Sequence, residues 1–111
     1  MTTHFKSALA EELSAHNFLV LRAMFGGYGV YYKGLIVGIT VGEDLYLKVD
    51  NTNRAKFEAI GSHPFTYAKA NQKSTTLSYW LLPANIIERE QELLGWIVDS
   101  YQVSQRAKQK K

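Results

Sequence analysis

Glycines, histidines and paired carboxylates are the residues of this chain whose types and spacing could support chemistry. The stretch Phe25-Gly-Gly-Tyr-Gly29 is typical in outline of a phosphate-binding loop. A Walker loop, however, needs Gly-Lys-Ser/Thr opening a helix, because the lysine and the helix N-terminus bind the phosphates. Here the glycines lead into a strand-like segment and no such tripeptide follows. We therefore interpret Gly26, Gly27 and Gly29 as structural glycines of a tight turn or β-bulge.

The histidines and carboxylates offer no clearer chemistry. His4, His16 and His63 are scattered, and a lone histidine is more often a surface or capping residue than a metal ligand or general base. Glu88 and Glu92 would share a helix face, where a solvated charged surface is the simpler interpretation. No serine lies in a nucleophile-elbow context. The sequence predicts a protein that is not an enzyme and uses neither cofactor nor metal.

Composition indicates one ordinary globular domain. The chain has 111 residues, of which 46% are hydrophobic and 21% charged. The absence of cysteine excludes disulfides, thiol catalysis and cysteine-ligated metals. Glu11 and Glu12 interrupt the region that a signal peptide would need to be apolar, and no apolar run approaches the ~20 residues that span a bilayer. We expect a cytoplasmic protein.

The net charge of +3 is concentrated at the C-terminal end. We divide the chain into a single domain over residues 1–104 and a basic tail over residues 105–111. The tail holds four of the thirteen basic residues, which leaves nine against ten acidic ones in the domain. Two interpretations stay open, a solvated helix end and a short arm that binds nucleic acid. The candidate nucleic-acid contacts are Lys69, Lys73, Arg106, Lys108, Lys110 and Lys111.

Hydrophobic periodicity predicts three helices and six strands. The helices cover residues 3–16, residues 51–60, and a segment beginning at Pro83 or Asn85 with the core stripe Ile86, Leu93, Ile97 and Tyr101. The strands cover residues 18–24, 28–32, 35–41, 45–49, 65–69 and 75–82. This order favours an α+β fold in two layers, a curved antiparallel sheet of about five or six strands packed against helices.

Turn and cap residues join these elements. Lys33-Gly34 is a two-residue hairpin turn, which makes Gly34 a fourth structural glycine. Asp50 is predicted to cap the second helix, with Phe57 and Ile60 facing inward and Gly61 ending it. A separate alternation puts Leu35, Val37, Ile39 and Val41 on one face of their strand.

Strand alternation also predicts a partner surface. If Leu45, Leu47 and Val49 face the helices, Tyr46 and Lys48 point away from them. The same alternation sets Trp80 opposite Leu77, Tyr79 and Leu81, and sets Tyr31 opposite Val30 and Tyr32. The candidate partner surface is therefore Tyr31, Tyr46, Lys48 and Trp80. Exposed tyrosine and tryptophan are favoured anchors for a partner. An alternative stays open, that these aromatic side chains pack on each other and complete the fold.

Four blocks carry a resemblance to a known family. They are Met24-Phe-Gly-Gly-Tyr-Gly-Val-Tyr-Tyr32, Leu45-Tyr-Leu-Lys-Val-Asp50, Gly61-Ser-His-Pro-Phe-Thr-Tyr67 and Ser78-Tyr-Trp-Leu-Leu-Pro83. In this order they resemble the TfoX/Sxy N-terminal domain family. The resemblance implies a fold similar to secretion chaperones and brings no catalytic residues. Two-domain members regulate natural competence positively and are thought to assist a cAMP-receptor-type transcription activator.

The resulting hypothesis is a non-enzymatic interaction domain, an accessory regulator of transcription that acts by binding protein. The expected partner is a transcription activator or an RNA polymerase component. The alternative is weak, direct nucleic-acid binding led by the basic tail. An exposed edge strand at residues 65–69 would also allow a homodimer.

Overall fold

The computed structural model describes residues 8–24, 27–67 and 75–109 and confirms the α+β class with an antiparallel sheet. The helices of these residues are α1 (Ala8–Ser14), α2 (Arg54–Ala59), α3 (Ala84–Ile87) and α4 (Glu90–Gln109). The strands are β1 (Val20–Met24), β2 (Gly27–Tyr32), β3 (Leu35–Val41), β4 (Asp44–Lys48), β5 (Pro64–Tyr67) and β6 (Thr75–Leu82).

The six strands form one sheet in the order β1-β2-β3-β4-β6-β5. Lys33 and Gly34 have φ of 51° and 86°, as a type I′ turn between β2 and β3 requires, so the predicted hairpin is confirmed. Gly42, with φ of 61°, begins the turn between β3 and β4. Strand β5 lies at one edge of the sheet, and its pairing in a homodimer stays a prediction.

All four described helices bury their apolar residues in one core against the sheet. The helices contribute Leu9, Leu13, Phe57, Ile86, Ile87, Leu93 and Ile97. The strands contribute Val30, Val37, Leu45, Leu47 and Leu82. The helices therefore lie on one side of the sheet, which we call the helix face. No helix of the described residues is both long and apolar enough to cross a membrane.

Helix α4 lies across β3 and β4 and is joined to them by two buried serines. Ser100 donates a hydrogen bond of 2.8 Å from Oγ to the carbonyl oxygen of Lys48, and Ser104 donates one to the carbonyl oxygen of Ile36. Ser100 is 0% exposed and Ser104 is 4% exposed. Small side chains at these positions let the helix approach the strands closely while their hydroxyls stay hydrogen-bonded.

A β-bulge changes the predicted faces of β3. Val30 pairs with Gly38 and Tyr31 with Ile36, so Val37 has no partner in the register. Val37 is fully buried in the core, whereas Ile39 pairs with Tyr46 on the opposite face. The prediction that Val37 and Ile39 share a face is therefore wrong, because a bulge interrupts the two-residue alternation.

Helix α2 is shorter than predicted, and Asp50 does not cap it. The helix begins at Arg54, after Asn53, while the Asp50 carboxylate accepts a hydrogen bond of 2.8 Å from the Thr52 backbone N–H. Phe57 is buried as predicted, but the inward placement of Ile60 is wrong, since its exposed fraction is 41%.

The ends of the helical segments agree with the predictions in part. Gly61, with φ of 77°, ends α2 as predicted. The predicted C-terminal helix is divided into α3 and α4. Its stripe is buried at Ile86, Leu93 and Ile97, and the Tyr101 ring meets the Tyr32 ring edge-on with centroids 5.2 Å apart. Residues 105–109, assigned to the tail, continue α4.

Gly27 gives a stability test of the sheet. A Cβ at Gly27 would lie 2.2 Å from the carbonyl oxygen of Thr40, so Gly27→Ala should lower the free energy of unfolding by about 1–3 kcal/mol through overpacking. Gly95 on α4 has nothing within 4 Å of the same position. Gly95→Ala should instead be neutral or stabilising by up to about 1 kcal/mol. Urea unfolding of both variants checks this pair, and equal effects would contradict the close approach at Gly27.

Candidate functional site: the open face of the sheet

The side of the sheet away from the helices carries the candidate site. Leu45 and Leu47 are buried on the helix face, so Tyr46 and Lys48 between and after them point to the other side. Directly paired residues share a face, which extends this assignment from strand to strand. We call the result the open face. It comprises Val20, Arg22, Met24, Gly29, Tyr31, Ile36, Ile39, Val41, Asp44, Tyr46, Lys48, Phe65, Tyr79 and Leu81.

The open face is far more apolar than a solvated sheet face. One solvated side of an antiparallel sheet normally carries polar residues in alternation with the core. Here the cations Arg22 and Lys48 stand among aliphatic and aromatic side chains. Val20 is 55% exposed and Val41 is 41% exposed, while most of the others are partly buried. A contiguous apolar surface of this kind marks an interaction site.

Tyr46 lies at the centre of the open face, packed against Phe65. Their ring centroids are 5.1 Å apart in an edge-on arrangement, and Tyr46 is only 8% exposed. Burial raises the pKa of the Tyr46 phenol, and the negative charge of Asp44 raises it further. Tyr46 is therefore on the predicted face, but its ring is mostly covered by neighbouring side chains and exposes little area to a partner.

Gly29 makes room for side chains that cross the sheet near β1. A Cβ at this position would lie 3.0 Å from Met24 Sδ and 3.1 Å from Tyr31 Cε1. The Arg22 guanidinium lies over the Tyr31 ring, 5.4 Å from its centroid. Tyr31 is thus held between a glycine and a cation, on the predicted face. Gly26 lies outside the described residues.

A row of polar groups crosses the open face beside the apolar centre. Lys48 pairs directly with Tyr79. Burial raises the pKa of the Tyr79 phenol, and the negative charge that Tyr31 carries when ionised raises it further. The Lys48 ammonium and the Tyr79 hydroxyl beside it can together bind an anionic group.

Trp80 is not part of this surface, and its predicted placement is wrong. It pairs with Leu47, packs against the core and lies with its ring centroid 6.3 Å from that of Phe57 on α2. The strand β6 carries apolar residues at both alternating sets of positions, so its pattern alone does not show which set faces the helices. The burial of Leu82 against the core decides the matter.

Most open-face residues escaped the sequence analysis, among them Ile39, Phe65, Tyr79 and Leu81. Ile39 was assigned to the opposite set because the bulge is not visible in the sequence, and Tyr79 and Leu81 were exchanged with Trp80. Pairing β6 with β4 would have corrected the last two, since Leu45 lies opposite Leu82. For Phe65, nothing in the sequence beyond its place in a short strand indicated that it belongs to this surface.

Arg106, predicted to contact nucleic acid, is instead an internal ion-pair partner. Its Nη2 lies 3.2 Å from Asp50 Oδ2 and donates a hydrogen bond of 2.6 Å to Thr52 Oγ1. These contacts tie the end of α4 to the segment between β4 and α2. Lys108 is exposed on α4. The remaining candidate contacts, Lys69, Lys73, Lys110 and Lys111, lie outside the described residues.

Two shallow clefts flank this ion pair. One, of about 420 Å³, is bordered by Lys48, Ser78 and Arg106, and the other, of about 400 Å³, by Arg54, Pro64 and Trp80. Residues 49–51 line both clefts. Ser78, Trp80 and Arg106 lie on the helix side of the sheet, so these clefts are not part of the open face.

The histidines and carboxylates considered for chemistry lie apart. His16 Nδ1 is 3.9 Å from Glu90 Oε1, and His63 Nδ1 is 3.3 Å from the carbonyl oxygen of Pro64. Glu92 pairs with Arg89 at 3.0 Å. His4 lies outside the described residues. Within the described ranges, no three histidine, aspartate or glutamate side chains are grouped as metal ligands.

Comparison with known proteins identifies a family. The profile of the TfoX N-terminal domain matches residues 11–104, which is most of the chain. No curated protein matches the chain.

The Asp50–Arg106 pair predicts a pH dependence of stability. Burial alone would raise the pKa of Asp50, but hydrogen bonds from Thr52 and Arg106 and the charge of Arg106 outweigh it and hold the pKa below 3.8. A carboxyl with a lowered pKa stabilises the fold above its ordinary value and stops doing so as pH falls through the lowered one.

Asp50→Asn should therefore lower the free energy of unfolding by about 0.5 kcal/mol at neutral pH, because the pair is partly exposed. The difference from the unsubstituted protein should decline as pH falls below 3.8 and vanish once pH is below the lowered pKa of Asp50. Denaturant unfolding at several pH values measures it. In an Arg106→Met background the effect of Asp50→Asn should shrink, and an undiminished effect would show that Arg106 is not the relevant partner.

Proposed function

The chain belongs to the TfoX N-terminal domain family, and from this membership we propose that it is a non-enzymatic interaction domain that contributes to the regulation of transcription by binding a protein. The resemblance described above supports the regulatory part, because two-domain members act as positive regulators of competence. The partner would be a transcription activator or an RNA polymerase component, met in the cytoplasm.

The observation that carries the proposal is the apolar open face. Aliphatic residues on β1, β3 and β6 surround the Tyr46–Phe65 pair, with Tyr31 and Tyr79 at one side. Aromatic residues that are already held in place lose little conformational entropy on binding, so they favour association. The helix face is committed to the core, which leaves this face as the surface that a partner can cover.

Direct nucleic-acid binding is the weaker alternative. Phosphate contacts dominate such affinity, and each needs a free lysine or arginine. Arg106 is bound to Asp50 and Thr52, so it could reach a phosphate only by giving up those contacts. Lys108 keeps a free ammonium among the described residues of α4. The basic helix end therefore offers less charge than its sequence suggests.

Charge placed within the apolar surface tests the proposal. Ile39→Asp puts a carboxylate at the centre of the open face, and Val20→Asp puts one at its more exposed margin. Both should weaken capture of the partner from nuclease-treated lysate by about tenfold or more, because the new charge must be desolvated in the interface. Quantitative mass spectrometry measures the captured protein.

Ile60→Asp is the matched control, since Ile60 is equally apolar and 41% exposed at the end of α2. It should leave capture unchanged. Thermal unfolding of each variant separates lost binding from lost folding. The unfolding temperature of Val20→Asp should be close to that of the unsubstituted protein. If folded Val20→Asp and Ile39→Asp capture the same protein as strongly as Ile60→Asp does, the open face is not the binding surface.

A further inference from the structure

We propose that the open face recognises a linear protein segment in which an acidic residue and an apolar residue lie two positions apart. The carboxylate would be bound by Lys48 with the hydroxyl of Tyr79, and the apolar side chain would pack on Ile39, Phe65 and Leu81. This inference rests on the proposed function and names the chemistry of the partner.

Lys48 is the free cation at the centre of the polar row. It stands directly opposite Tyr79 in the register of β4 and β6. Among the described residues, the ion pairs of lysine and arginine are made by Arg54, Lys56, Arg89 and Arg106, and none involves the Lys48 ammonium. Its backbone carbonyl is held from the helix face by Ser100, which fixes where the side chain emerges. An unpaired ammonium is suited to a carboxylate.

The Tyr79 phenol supplies a hydrogen-bond donor beside this ammonium. Tyr79 is the direct cross-strand partner of Lys48, and directly paired residues share a face. In the part of the chain that the structure describes, the Tyr79 hydroxyl has no protein hydrogen-bond partner. A carboxylate accepts several hydrogen bonds at once, so one acidic side chain can satisfy the ammonium and this hydroxyl.

The apolar half of the site lies one row further along the sheet. Ile39 and Leu81 are the direct neighbours of Tyr46 on β3 and β6, and the Phe65 ring leans on Tyr46 from β5. All three are partly exposed. Side chains two residues apart in an extended segment point to the same side and can reach neighbouring rows of such a surface, so the two required residues would stand at alternate positions.

The charge of the face favours an acidic partner. Its two cations are Arg22 and Lys48, and Asp44 stands at the far end of β4, beside the turn. Arg22 is stacked over Tyr31 and adds positive potential at the Tyr31 side of the face. Complementary potential steers the partner and selects against basic segments.

Nucleic acid fits the same face less well. Single strands bind sheets by stacking bases on exposed aromatic ring faces. Tyr46 is 8% exposed and has the Phe65 ring packed edge-on against it, and Arg22 covers the Tyr31 ring. The rings therefore offer edges and hydroxyls to a ligand.

Selection from a display library of random linear peptides tests the inference. The bait is the full chain, and the expected result is enrichment of peptides with Asp or Glu two positions from a leucine, isoleucine or aromatic residue. An enriched peptide should bind about tenfold more weakly when its acidic residue is replaced by the corresponding amide. The same loss should follow Lys48→Met in the protein, while Lys108→Met, on α4, should change nothing.

Tyr79→Phe removes only a hydroxyl and keeps the test decisive if Lys48→Met fails to fold. It should weaken binding of the acidic peptide and leave binding of the amide peptide unchanged. Enrichment of neutral apolar peptides with no dependence on Lys48 would overturn the inference but leave the proposed function standing. No enrichment at all would also overturn it. If oligothymidylate competes with the peptide for the same residues, the open face binds nucleic acid and the inference is wrong.

Discussion

The packing of α4 across β3 and β4 determines which side of the sheet is core and which is available to a partner. Buried Ser100 and Ser104 fix this helix by donating to strand carbonyls of Lys48 and Ile36. Each hydrogen bond comes from the helix face and fixes the backbone of a residue whose side chain lies on the open face. Lys48 is the clearest case, since Asn53 also donates to its carbonyl oxygen while its side chain emerges on the opposite side. The position of the proposed partner site therefore depends on contacts made entirely on the helix face.

The bulge in β3 gives the open face its apolar character. With Val37 in the core, it moves Ile39 to the side of Ile36, where Ile39 joins Leu81 of β6 through Tyr46. A regular strand with Val37 in the core would have placed Ile39 against the helices and Gly38 and Thr40 outside. The bulge thus sets the composition of the surface opposite α4.

Local signals in the sequence predicted much of the fold and less of the site. The Lys33-Gly34 turn, the alternation of β4 and the end of α2 at Gly61 depend on neighbouring residues, and these predictions are confirmed. Trp80 was misplaced because β6 is apolar at both sets of positions, so only its pairing with β4 decides the face. The ion pair of Arg106 was not predicted for a different reason. Its partner Asp50 is 56 residues away, and a contact of that range is set by the tertiary fold.

The central claim is that the partner covers the open face, and oxidative footprinting of the complex tests it most directly. The chain is labelled by hydroxyl radicals alone and when bound to the protein that it captures. Protection should appear at Phe65, Tyr79 and Leu81, with Ile60 on the other side of the molecule labelled equally in both states. Protection of Ile60 or of the outer surface of α4, with the open-face residues still labelled, would contradict the account.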